Sequence, residues 1–159
     1  MSPEVTEYWN LVKTAIPFAS DSRLYDVFYF GDSEALADEL AVLVCSGTKR
    51  GTASSLWSLE AEGKRPPCQG DLSIVTNWAG KPFCTIETSR GDIIPFSQVG
   101  ADFAALEGEG DGSLAEWRAG HNAYFARECA RLGRPFEPDM PVVCEHFQVV
   151  HIRFSQGAA

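Results

Sequence analysis

The residues most able to do chemistry lie in the segment Gly47-Thr48-Lys49-Arg50-Gly51-Thr52. Lys49 and Thr52 stand three residues apart, between a helix predicted over residues 32–46 and a second predicted over 53–62. Backbone amides at the start of that second helix would face the loop and could hold an anion or a developing oxyanion. A lysine desolvated there gives up its proton more readily and could act as a base towards the Thr52 hydroxyl. The plainer alternative is that Thr52 only caps a helix and Lys49 is a solvated cation. A Walker phosphate loop is excluded, because the glycine spacing differs and no strand is predicted before the segment.

A second cluster is Glu107-Gly108-Glu109-Gly110-Asp111. Three carboxylates separated by glycines can converge on one point, as a general base or as oxygen ligands for Mg²⁺ or Mn²⁺. The same residues would serve equally as an acidic loop ahead of the next helix. A third cluster sits on the helix predicted from Ser113: Trp117, His121 and Tyr124, with Arg118, Arg127, Arg131 and Arg134 nearby. Trp117 and His121, four apart, share a helix face. They could stack a base while an arginine holds its phosphate, or they could be core, with the arginines solvated. Glu145 stands within an apolar strand, on a face with Val143, Phe147 and Val149. A carboxylate there needs a partner, and the expectation is that it points into or beside the Lys49 pocket.

These groups depend on elements that the periodicity outlines. Helices are predicted over residues 8–16, 32–46, 53–62 and 103–106. A capping box, Ser113-Leu114-Ala115-Glu116, opens a further helix to about Leu132. Strands are predicted over 71–76 and 82–89, joined as a hairpin through 77–80, with an edge piece at 93–96 and a long strand over 140–154. Residues 155–159 read as a loose tail. The expected class is α+β: helices around a small, mainly antiparallel sheet that could curl into a barrel.

The chain has 159 residues, 45% apolar and 22% charged, which fits one domain and excludes a disordered, fibrous or coiled-coil protein. No apolar run approaches the roughly 20 residues that span a bilayer. The Met1-Ser2-Pro3-Glu4 start lacks the basic region of a signal peptide, so a cytoplasmic location is expected. Thirteen basic against 22 acidic residues give a net charge of −9. That charge disfavours a broad grip on duplex DNA and points to a small ligand or a short single strand. The five cysteines, Cys45, Cys68, Cys84, Cys129 and Cys144, lack the paired spacing of a zinc site and read as reduced thiols.

The residues from Gly47 to Trp57 resemble the Gly-x-Lys-x-x-Thr motif of the ASCH domain, a relative of the PUA RNA-binding domain. The resemblance continues through Gly70-Asp71, Cys84-Thr85-Ile86-Glu87, Pro95-Phe96, Glu107-Gly108-Glu109-Gly110-Asp111, Trp117-Arg118 and His121, and ends at Met140 to Phe147. It covers roughly positions 28 to 152 and looks like the longer bacterial branch. It implies one domain over 1–159, with residues 1–27 as a helical extension, built as a small mixed β-barrel flanked by helices, with a cleft at Lys49. One branch of the family hydrolyses the amide of N(4)-acetylcytidine with a Lys, a Thr and a Glu. These match Lys49, Thr52 and Glu107, and no cofactor is then required. Arg50, Ser54, Ser55, Trp57, Trp117, His121, Tyr124 and Glu145 are the expected substrate-binding residues. Another member is a ribonuclease for single-stranded RNA, which implies Mn²⁺ or Mg²⁺ held by Glu107, Glu109 or Asp111. A module that binds a modified base or short RNA without catalysis is the third reading.

Overall fold

A computed structural model of the chain describes residues 1–153. In chain order the elements are α1 (Pro3–Ala15), β1 (Leu24–Phe28), α2 (Glu34–Cys45), β2 (Gly51–Ser55), α3 (Leu56–Ala61), β3 (Leu72–Thr76), β4 (Pro82–Pro95), α4 (Ala101–Glu107), α5 (Leu114–Arg131) and β5 (Pro141–Ile152). The strands form one five-stranded sheet in the order β1-β3-β4-β5-β2. The β3–β4 and β2–β5 pairs are antiparallel, and β1–β3 is parallel. The α+β class is therefore observed, but the expected barrel is not. With β1 and β2 at the two ends of the order, the sheet stays open.

The chain forms two compact units, one of residues 1–48, 69–89 and the stretch from Phe147, the other of Lys49–Cys68 and Arg90–His146. In the first unit β3 is buried at all five positions. Leu72 and Ile74 pack with Val5, Tyr8, Trp9 and Val12 of α1, while Val75 packs with Leu40, Ala41 and Val44 of α2. Successive side chains alternate between faces, so a strand covered on both sides reads as a near-continuous apolar run. Ser2 caps α1, accepting from the Val5 amide at 3.2 Å, and Pro3 occupies a first-turn position where no amide partner is needed.

In the second unit Val142 and Cys144 of β5 and Ala53 of β2 pack against Phe103 of α4 and Trp117 and Phe125 of α5. Ser113 caps α5, its hydroxyl accepting from the Glu116 amide at 3.1 Å. The Arg118 guanidinium donates to the carbonyls of Phe96, Ser97 and Val99 and ties α5 to the segment after β4.

Three expectations change. The predicted helix over 53–62 is the strand β2 followed by the six-residue α3, because Gly51–Ser55 pairs along its length with Val142–His146 of β5. The edge piece at 93–96 is largely the continuation of β4. The strand β1 carries no alternation and was not predicted; its five residues are all half-buried. The expected tail, residues 155–159, lies outside the described residues. All five cysteines are free; Cys84, Cys129 and Cys144 are buried, Cys45 is half-buried and Cys68 is exposed. Among the described residues no helix is long and apolar enough to cross a membrane.

Candidate functional site

Lys49 enters the second unit just ahead of β2 and is 1% exposed. The following amide, Arg50 N–H, donates to the Leu106 carbonyl at 2.9 Å and fixes the segment against the end of α4. The Lys49 ammonium donates to Glu107 Oε1 at 2.9 Å, to Glu109 Oε2 at 2.6 Å and to the Gly51 carbonyl at 2.6 Å. Both carboxylates come from the end of α4 because of a glycine. Gly108 stops the helix with φ of 64°, in the left-handed region, and turns the chain so that Glu109 returns to the lysine. Gly110, with φ of 59°, passes so close to Glu116 that a Cβ there would collide with its carboxylate.

Glu107 is as buried as the lysine, and both of its oxygens are engaged. Oε1 accepts from Lys49, while Oε2 accepts from Trp117 Nε1–H and faces His121 Nε2 at 3.1 Å. The other ring nitrogen, His121 Nδ1, lies 2.9 Å from the Trp117 carbonyl. With an acceptor near each nitrogen, both contacts favour the doubly protonated, charged form of the ring.

The electrostatics agree with these contacts. Burial pushes the Lys49 ammonium down, but the Glu107 and Glu109 carboxylates outweigh it and the net shift is up. The expectation of a lysine kept neutral by burial is thus corrected: two carboxylates within 3 Å hold the charge. Burial also opposes ionisation of Glu107, yet Lys49 and His121 bring it down to about 2. Burial opposes the charge on His121 as well, and Glu107 raises it overall. Glu109 differs. Burial raises it, Lys49 only partly offsets that, Glu107 adds to the rise, and the net shift is upward.

The remaining predicted residues take varied places. Thr52, half-buried on β2, stands directly opposite Glu145, which is itself buried. Facing residues of an antiparallel pair share a sheet face, so these two lie on the side away from Ala53 and Cys144. Ser54, on the Thr52 side, is half-buried opposite Val143. Ser55 is the cap of α3, its hydroxyl accepting from the Ser58 amide at 3.3 Å; this is the role sequence reasoning gave to Thr52. Arg50 is exposed. Trp117 is buried, stacked on Phe96 and His121, so it has no free face for a base. Trp57 is covered by the Arg134 guanidinium, 3.3 Å from the ring centroid, and Tyr124 packs on Phe125. Asp111 turns to its own loop and accepts from the Ser113 amide at 2.8 Å.

Among the described residues Glu107, Glu109 and His121 offer ligand atoms within 4.8 Å of one another, a set that lacks Asp111. The set does not fit a divalent ion as it stands, because the Lys49 ammonium already occupies contact distance from both carboxylates. Sequence reasoning gave His121 and Trp117 to a substrate and missed their hold on Glu107. The signal was their spacing of ten and fourteen residues from Glu107, which carries no meaning until α4 and α5 are placed.

The ASCH domain family model matches residues 26–151 of the chain. The crystal structure of an ASCH domain from Lactobacillus crispatus JV V101 is 38% identical, covers 91% of this chain and 95% of its own, and superposes with a TM-score of 0.81. The structure of a protein from Enterococcus faecalis V583 is 30% identical, covers 100% of this chain and 95% of its own, and gives a TM-score of 0.89. No curated protein matches.

Proposed function

The chain belongs to the ASCH domain family, and from that premise we propose that it is a hydrolase for the amide of an RNA-derived modified nucleoside such as N(4)-acetylcytidine. The observation that carries this reading is the buried Lys49 ammonium held between Glu107 and Glu109. A fixed cation in a low-dielectric setting suits the negative charge that grows on a carbonyl oxygen under attack. In the sequence motif, Lys49, Thr52 and Glu107 match the Lys, Thr and Glu that the resemblance to the family implies.

Because Lys49 stays charged, its role is that of a fixed positive charge and not of a base. The Thr52 hydroxyl is the nucleophile in this reading, forming an acyl ester that water then opens. The protein's own ammonium supplies the positive charge, so the reading calls on no metal. The net charge of −9 favours a nucleoside or a short single strand over a polymer grip.

The test is release of cytidine and acetate from N(4)-acetylcytidine by purified protein, followed by chromatography, with Lys49→Ala as control. Turnover lost by a factor of about 10² or more in the variant supports the reading. An inactive wild-type protein rejects it. Cleavage of single-stranded RNA that needs Mn²⁺, stops with EDTA and disappears in Lys49→Ala would install the ribonuclease reading in its place.

A further inference from the structure

Two thiols meet inside the first unit, away from the Lys49 cluster. Cys45 is the last residue of α2, and Cys84 lies in the buried part of β4. Cys84 belongs to the apolar cluster with Val44, Val75 and Phe147, and Cys45 packs against that cluster. Their side chains share a hydrogen bond, and Tyr8 of α1 lies close to both sulfurs. Cys84 is fully buried, whereas Cys45 keeps part of its surface open to solvent. The other buried thiols lack such a partner in kind: burial pushes Cys129 and Cys144 up, the state of an inert packing cysteine.

We propose that Cys45 and Cys84 form a reversible disulfide when the protein meets a peroxide, pinning the end of α2 to β4. The Cys45 sulfur attacks one peroxide oxygen and the O–O bond breaks. The thiol proton leaves with the other oxygen as water, and Cys45 becomes a sulfenic acid. The Cys84 sulfur then attacks the Cys45 sulfur and the S–O bond breaks. The Cys84 proton leaves with that oxygen as a second water, and the S–S bond forms. Two thiols are oxidised to one disulfide while one peroxide is reduced to two waters; a small dithiol reverses the step by exchange. The hydrogen bond from Cys84 outweighs burial and lowers the Cys45 thiol, while the same bond, with burial, raises Cys84. That agrees with Cys45 as the attacking thiol and Cys84 as the one that resolves it. The proposal is independent of the hydrolase reading.

The experiment uses the full chain with Cys68→Ser, which removes the exposed thiol. It is treated with hydrogen peroxide, its remaining thiols are blocked, and unreduced peptides are mapped by mass spectrometry. A peptide linking Cys45 to Cys84 within one chain, lost on adding dithiothreitol, supports the inference. So does an oxidised chain that melts higher by about 5 °C or more, since the link closes a long loop. With Cys84→Ala in addition, Cys45 should stop at the sulfenic acid and be captured by dimedone. Peroxide that leaves Cys45 reduced, or oxidises it without linking it to Cys84, overturns the inference. A linked chain that melts no higher than the reduced one overturns the pinning of α2.

Discussion

Trp117 and His121 stack with ring centroids 4.2 Å apart and planes 13° from parallel, and both present a ring nitrogen to the same oxygen of Glu107. One turn of α5 thus supplies a two-pronged clamp on a buried carboxylate. The clamp and Lys49 together explain how Glu107 remains ionised where burial alone would neutralise it.

Truncating the cation should be costly. In Lys49→Met two carboxylates face each other without their ammonium, and removing one partner of a buried pair costs about 3–5 kcal/mol. Urea denaturation should show that loss at neutral pH and a smaller one near pH 4, where a carboxylate can protonate.

Trp117→Phe keeps an aromatic ring but removes the N–H that Glu107 accepts, together with the volume of the indole's second ring. Glu107 Oε2 keeps His121 as a partner, and losing one hydrogen bond to a charged group costs about 1.5–3 kcal/mol. The variant should be less stable by at least that range in chemical denaturation, and its Glu107 carboxyl should titrate higher.

The pH dependence of stability has a worked sign. Glu107 is held near 2 in the fold against an ordinary value of 4.5. Its contribution is present above 4.5 and lost as pH falls through about 2. His121 is raised above 6.5, so its contribution is present below 6.5 and lost as pH rises through its raised value. Thermal melts of Glu107→Gln should lack the acid-side slope, and those of His121→Gln the alkaline-side one.

Metal binding should appear only when the lysine is gone. Wild-type protein should show no thermal shift with Mn²⁺, whereas Lys49→Ala leaves Glu107, Glu109 and His121 around a site without its cation. Stabilisation of the variant alone, growing with Mn²⁺ concentration as binding linkage requires, is the expected result. Equal stabilisation of both proteins contradicts it.

Ser55→Ala should cost about 1 kcal/mol through loss of the α3 cap. Nucleoside turnover should be unchanged, since Ser55 holds the helix start and not the Lys49 cluster. A fall in kcat beyond the fraction unfolded would return Ser55 to the site.

Local events are legible in the residues themselves. Ser113 announced the start of α5, because a cap is a contact within three residues. The apolar character of β3 and β5 announced their burial. Lys49, Glu107 and Glu109 stood out by type and spacing, and a resemblance to the ASCH domain drew them into one family pattern. Long-range matters depend on pairing and packing between distant segments. Gly51–Ser55 looked helical from Ala53 onward and became a strand because β5 supplied a ladder for it. The sheet stayed open because strand order is a property of pairing, which no single strand encodes. The lysine's charge was undecided in the sequence, since burial and carboxylates push in opposite directions and only their distances settle which prevails. Trp117 and His121 passed from ligand candidates to the clamp on Glu107 for the same reason: a ring nitrogen's partner is set by where two helices meet.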